Sequence, residues 1–355
     1  MEAIFFFNDT TNKPIYDDST DNKSKGKTRS KIVNKDFFTE NEVHNVNKLT
    51  NTLTNYTECC IVYVSVHRVG SNIIYKGDSD DDSDDSDYDI PLDAAVFRQT
   101  EQLLFKLPSR HIILFKNYLK PFKSVLRKYI YSLVSGWQRL QDILLKLRNG
   151  PQLVVNHVGS LVVDVDSEQV YLTNFSFAID IGITRMDLLV DKFKHLFAVY
   201  SPEFTEWPLE FHFLAYLTSF KLTSLSSYNI QHIISEYAEH NQVLKSFGPA
   251  IVEKYVSNAK HYFEKYVNKT FAEIVEDCTQ FWDTWDMYMF GVYWLRMLIE
   301  LHKELPLNKK KNKFIIEFMK LLVQQIEFDP TKRVRGKIER VFDKCSLNDY
   351  KMLLQ

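Results

Sequence analysis

Two side chains stand where proton chemistry is conceivable. His157, in the run VVNHVGSLVV over 154–163, lies near the end of strand-forming residues and has the titration range of a general base. No carboxylate lies within its motif, so a histidine satisfied by local hydrogen bonds is expected there. Asp286 opens an apolar helical run, where a buried functional acid and an N-terminal cap accepting backbone amides compete, and the cap is expected. Metal chemistry finds less support. Cys59, Cys60, Cys278 and Cys345 fit neither zinc spacing nor a secreted disulfide framework, so reduced thiols are expected. The acidic run DSDDDSDDSDYD lacks the glycine and glutamate of a calcium loop at its sixth and twelfth positions. Phosphate chemistry lacks its usual cradle. The ten glycines stand at 26, 70, 77, 136, 150, 159, 182, 248, 291 and 336, so no Gly-x-Gly occurs. Gly26-Lys27-Thr28 is no P-loop, because the first glycine of that motif would fall at Asp21.

The elements that must position these residues follow from length and pattern. The chain has 355 residues, 45% hydrophobic and 25% charged, with formal net charge −2, enough for a large core in one or two domains. Its charge is spread along the chain and carries no nucleic-acid signal, and the 14% aromatic content reads as core and interface. Residues 1–30 form a polar arm with basic Lys23, Lys25, Lys27 and Arg29, read as solvated. The run Ile4 to Phe7 is too short for a signal peptide, so Asn8 and Asn55 are expected to be unused sequons. Val43, Val46, Leu49 and Leu53 recur at helical spacing, and Cys60 to Val66 reads as a strand. Residues 77–90 are a self-repelling acidic insertion, expected to be disordered, in which Ser79, Ser83 and Ser86 are candidate phosphosites.

His111 to Phe115 reads as a strand, and Phe122 to Leu147 as the clearest helix, ended by Asn149-Gly150-Pro151. Short strands follow at 153–155, 160–165 and 169–173. After Asp191 the chain is mostly helical. Trp285 to Leu301, the longest apolar candidate, contains Asp286, Arg296 and Glu300 and is read as a core helix with no membrane span. The result is an α+β arrangement of two unequal parts, 31–118 and 119–355.

Several stretches carry a resemblance. VYLTNFSFA over 170–178 resembles the strand and "DFG" metal-binding motif of eukaryotic-type protein kinases. YSPEFTEWPLE over 200–210 is similar to the end of the activation segment, with Glu203 or Glu210 at the "APE" glutamate. TWDMYMFGV over 284–292 resembles the buried "D-x-W-S-x-G" helix start, through Asp286 and Gly291. FDPTKRV over 328–334 resembles the "DPxxR" segment, through Asp329 and Arg333, whose arginine pairs with that glutamate in the family. From about residue 31 to 343 the chain resembles divergent serine/threonine kinase-like proteins of large DNA viruses. The resemblance implies a two-lobed fold with a reduced N-terminal lobe and a helical C-terminal lobe.

Carried over residue by residue, the resemblance puts Asn174 at the metal-binding carboxylate and Ser176 at the glycine. His157 or Gly159 takes the catalytic aspartate, and Val162 or Asp164 the metal-binding asparagine. Asn34 takes the ATP-anchoring lysine, with Lys31 and Lys35 as candidate replacements, and Glu42 the partner glutamate. A neutral amide is a poor ligand for magnesium, and a lost base alone costs roughly a hundredfold to ten-thousandfold in rate. The positions that fix the helical lobe survive and those that handle nucleotide do not. A pseudokinase is therefore expected: a scaffold, regulator or virion component that binds viral or host proteins, without cofactor, in the host cytoplasm or packaged in a particle. The alternative is an active atypical kinase using ATP and magnesium, with Lys31 or Lys35, Asp164 and Asp166 in the vacated roles. A third reading is an unrelated α+β interaction protein.

Overall fold

The computed structural model describes residues 28–34, 36–62, 65–74, 98–108, 110–304, 313–335 and 341. The basic run at 23–27, Lys35, the insertion 77–90 with Ser79, Ser83 and Ser86, and Cys345 lie outside these. The chain divides into two compact units, Met1–Thr39 with Val62–Arg110, and Glu40–Ile61 with His111–Gln355.

The first unit contains one antiparallel sheet. Strands β1 (Thr28–Asn34), β2 (Ser65–Ile74) and β3 (Arg98–Pro108) lie in the order β1-β3-β2. Lys31 is in β1 opposite Phe105, and the β2 register shifts between Arg68 and Gly70, where Val69 is the extra residue of a bulge.

Helix α1 (Phe37–Thr52), which belongs to the second unit from Glu40 on, enters from Asp36, whose Oδ1 accepts from the Thr39 amide at 2.8 Å. Its apolar Val46 and Leu49 are buried. The strand expected from Cys60 starts at Ser65; Cys59 to Ile61 are caught earlier, on the edge of another strand. Ile61 donates to the Leu172 carbonyl and Leu172 to that of Cys59, at 2.8 and 3.0 Å. Strands β4 (Ile112–Leu114), β6 (Leu161–Asp164) and β7 (Gln169–Leu172) form a sheet in the order β4-β6-β7, and β5 (Leu153–Val154) pairs with β8 (Ile179–Asp180). Ile61, Val162 and Tyr171 are buried together, with Leu114 against them.

Between β4 and β5 lie α2 (Phe115–Leu119) and α3 (Leu126–Asn149). The latter begins four residues later than its apolar pattern suggests, because Pro121 sits in a 3-10 turn over Lys120–Ser124. Gly150 caps it by donating to the Lys146 carbonyl at 3.0 Å. Helices α4 (Met186–Leu196), α5 (Leu209–Ser219), α6 (Ser227–His240), α7 (Gln242–Lys245), α8 (Pro249–Phe263), α9 (Phe271–Thr279), α10 (Trp285–Glu304) and α11 (Lys313–Gln325) complete the unit. Capping boxes at Ser226/Asn229 and Thr270/Glu273 start α6 and α9.

The core is built on α10. Trp294 stacks on Phe115 at 4.9 Å, meets Trp137 of α3 edge-on at 5.0 Å, and donates its indole N–H to the Leu133 carbonyl at 3.0 Å. Gly136 is a close-approach position, since a Cβ there would come 2.5 Å from the Phe115 ring. Gly291 does the same between α10 and α11, where a Cβ would stand 3.0 Å from Ile326 Cγ2. Among the described residues no helix is long and apolar enough to cross a membrane. Trp285 to Leu301 is buried core, as its interrupting charges lead one to expect.

Candidate functional site

The loop after β7 is held from inside. Asn174 has φ +55°, a left-handed conformation that asparagine tolerates. Its Oδ1 accepts from the Ser176 hydroxyl at 2.5 Å and the Ser176 amide at 3.4 Å, and its carbonyl accepts from Ser160 Oγ at 3.0 Å. The Asn174 side-chain oxygen is thus used to shape its own turn. Phe175 is fully buried.

One face of α1 fixes the segment that follows. Asn41, His44, Asn45 and Lys48 recur at helical spacing and all reach residues 175–180. Asn41 Nδ2 donates to the carbonyls of Ser176 and Ala178 at 2.7 and 3.0 Å. Asn45 Nδ2 donates to those of Phe175 and Ala178 at 3.0 and 2.9 Å. His44 Nε2 lies 2.9 Å from Asp180 Oδ2, and Lys48 Nζ bonds Asp180 Oδ1, which also accepts from the Gly182 amide at 2.9 Å. Burial alone would raise the Asp180 carboxyl, but His44 and Lys48 hold it below the usual range. Glu42, one residue on from Asn41, is turned about 100° around the helix from it. The contacts to this segment come from the asparagines, the histidine and the lysine. Sequence reading missed this stripe, although its three- and four-residue spacing was legible; attention to apolar periodicity passed over a polar one.

The stretch before β6 is anchored by α10. Asp286 accepts from the Val155 amide at 3.0 and 3.1 Å through both oxygens, and from the Asn156 amide at 3.2 Å. This corrects the expected helix cap: the amides belong to a segment far upstream. Burial pushes the carboxyl up to about 7, although the two amides pull it down. A carboxyl raised on folding favours the protonated state, so its share of stability is full below about 4 and lost as pH rises to about 7. Asp286→Asn is expected to flatten this part of a urea-midpoint curve measured from pH 4 to 8. An unchanged slope would assign the titration elsewhere. Asp180 works in the opposite sense, contributing above the ordinary carboxylate range and losing that contribution as pH falls.

His157 is not satisfied by the local hydrogen bonds expected of it. Its ring stacks on Phe177 at 5.1 Å and 25°, and Nδ1 is buried with no hydrogen-bond partner among the described residues. Burial lowers its pKa from the ordinary value by disfavouring the charged ring. Gly159 makes room for it, since a Cβ there would come 2.4 Å from His157 Cε1. The ring is a packing element. Val162 is buried in β6 opposite Tyr171. Asp164 closes the far end of the β6–β7 hairpin, where Oδ1 accepts from the amides of Asp166 and Ser167 at 3.1 and 3.4 Å. Asn174 belongs to the other end, beside Ser160, about 10 Å away along three strand residues. Asp164 and Asn174 therefore do not form one metal site.

A second constellation is fully buried. Arg333 Nη2 donates to Glu210 Oε2 at 2.8 Å, with both side chains 1% exposed. Nη1 donates to Thr284 Oγ1 at 3.2 Å, Nε to the Glu327 carbonyl at 2.8 Å, and the guanidinium lies 4.7 Å over the Tyr288 ring. Of the two glutamates considered, Glu210 meets the arginine and Glu203 is exposed. Asp329 shapes the turn before Arg333 by accepting from Thr331 N and Oγ1 at 3.0 and 2.6 Å.

Comparison with known proteins gives no match, either to a protein-family model or to a curated protein.

Proposed function

We propose that this chain is a catalytically inactive protein kinase-like protein, a pseudokinase of the kind carried by large DNA viruses. It acts by binding viral or host proteins as a scaffold, regulator or virion component in the host cytoplasm. The observation that carries the reading is the pairing of a used-up metal corner with an intact buried ion pair. Asn174 spends its oxygen on Ser176, while Arg333 and Glu210 hold the turn after α11 against the start of α5. The order of elements supports the same fold: one strand, then α1, two further strands of the first sheet, and a mostly helical region with short strands, with α1 held against the loop after the β6–β7 hairpin.

The residues at the nucleotide positions do not fit magnesium-bound ATP. Asn174 is neutral and internally bonded, and Asp164 sits at the wrong end of its hairpin. Protein binding is supported by an exposed aromatic surface. Phe220 and Tyr228, 57% and 74% exposed, are joined through Tyr216 and His232, a composition enriched at interface hot spots.

Thermal unfolding with and without ATP and magnesium tests the reading, and a flat response is expected. Stabilisation by about 2.7 kcal/mol at a hundred times the dissociation constant, with autophosphorylation lost in Asp164→Ala, would overturn it.

A further inference from the structure

A shallow cleft open to solvent lies in the helical unit between the last turns of α3, strand β5, the start of α10 and the segment after α11. Leu144, Leu145, Met287 and Val334 line it together with the 1% exposed Leu153 and Val154 of β5, and polar Gln141, Thr284 and Gln325 interrupt this apolar lining. Leu145 is left 36% exposed, apolar surface that neither α3 nor its neighbours cover.

The charges gather at one edge. Asp283 accepts from Arg335 Nε at 2.6 Å and Nη2 at 3.0 Å, and stands 3.1 Å from Arg148 Nη2. Two guanidiniums thus share one carboxylate. Their side chains are 47% and 41% exposed, against 11% for Asp283, so the uncompensated positive charge faces outward. A guanidinium has five N–H donors, and Asp283 leaves several of them on each arginine for another acceptor. The other charges of the lining do not cancel this excess at the edge. Arg333 is neutralised by Glu210, and Asp286 turns both oxygens onto the amides of Val155 and Asn156.

We propose that this cleft binds an amphiphilic carboxylate of the fatty-acid class. The acyl chain lies along Leu144, Leu145 and Met287 over the floor of β5, and the carboxylate takes the spare donors of Arg148 and Arg335. The site is independent of the nucleotide positions, so it stands or falls separately from the function proposed above.

Calorimetric titration of the full chain with dodecanoate, below its micelle concentration, tests the assignment. Dodecanoate is expected to bind at least tenfold more tightly than dodecan-1-ol, which has the same chain without the charge. Met287→Trp, which fills the wall, is expected to abolish binding while circular dichroism stays unchanged. Arg148→Gln combined with Arg335→Gln is expected to bring dodecanoate down to the affinity of the alcohol. Should that double variant fail to fold, the acid-to-alcohol ratio of the unmodified chain still decides. Equal affinity for acid and alcohol, no binding of either, or undiminished binding by folded Met287→Trp would overturn the proposal.

Discussion

Arg333→Ala is expected to lower the unfolding free energy by about 3–5 kcal/mol, because it strands Glu210 in the core without its counter-charge. Glu210 and Arg333 are each 1% exposed, so water cannot take the partner's place. The loss is a large fraction of the 5–15 kcal/mol typical of a domain. It also removes donors to Thr284, Glu327 and Phe328, which tie the turn after α11 to the start of α10. Glu210→Leu combined with Arg333→Met is expected to recover most of the stability, since an apolar pair avoids the desolvation of two charges. Urea unfolding of the two variants measures both effects. A loss below about 1 kcal/mol for Arg333→Ala would show that the pair is less enclosed than its geometry states.

The second large effect is expected from α1. Asn41 and Asn45 each donate to two carbonyls of residues 175–178, and both are buried, so truncation leaves acceptors unmatched at about 1–3 kcal/mol per site. In the double alanine variant the two losses share the Ala178 carbonyl, and their sum is expected to be non-additive. Hydrogen exchange distinguishes this from general destabilisation. Amides of residues 175–182 should exchange faster at denaturant concentrations where those of α10 remain protected. Uniform acceleration across the helical unit would show that α1 supports the whole core and not this segment in particular.

Much of the local structure was legible because it depends on near neighbours. The apolar spacing of α3, its stop at Gly150, and the three short strands from 153 to 173 follow from periodicity and turn chemistry, whereas after Asp191 only the predominance of helix was legible, with one core helix over Trp285 to Leu301. Asp286 stood out by type, as a charge at the start of an apolar helix, and Arg333 through the resemblance of the segment over 328–334. What Asp286 touches was beyond reach: it was expected to cap its own helix and instead holds the amides of Val155 and Asn156. Arg333 meets Glu210, one of the two glutamates that the resemblance offered it. His157 was expected to find local hydrogen bonds and instead stacks on Phe177.

These outcomes share a physical cause. A helix or turn is decided by the residues within a few positions, whose backbone geometry and side-chain spacing the sequence states directly. A buried charge or ring is decided by whichever distant segment encloses it, and that depends on how the elements pack. Near-neighbour patterns placed α3, α10 and the short strands of the helical unit and picked out the residue types that had to be explained. Only the tertiary structure decided that Asn174 turns its oxygen inward onto Ser176, that α1 grips residues 175–180 by a polar face, and that two arginines converge on Asp283 at the edge of an apolar cleft.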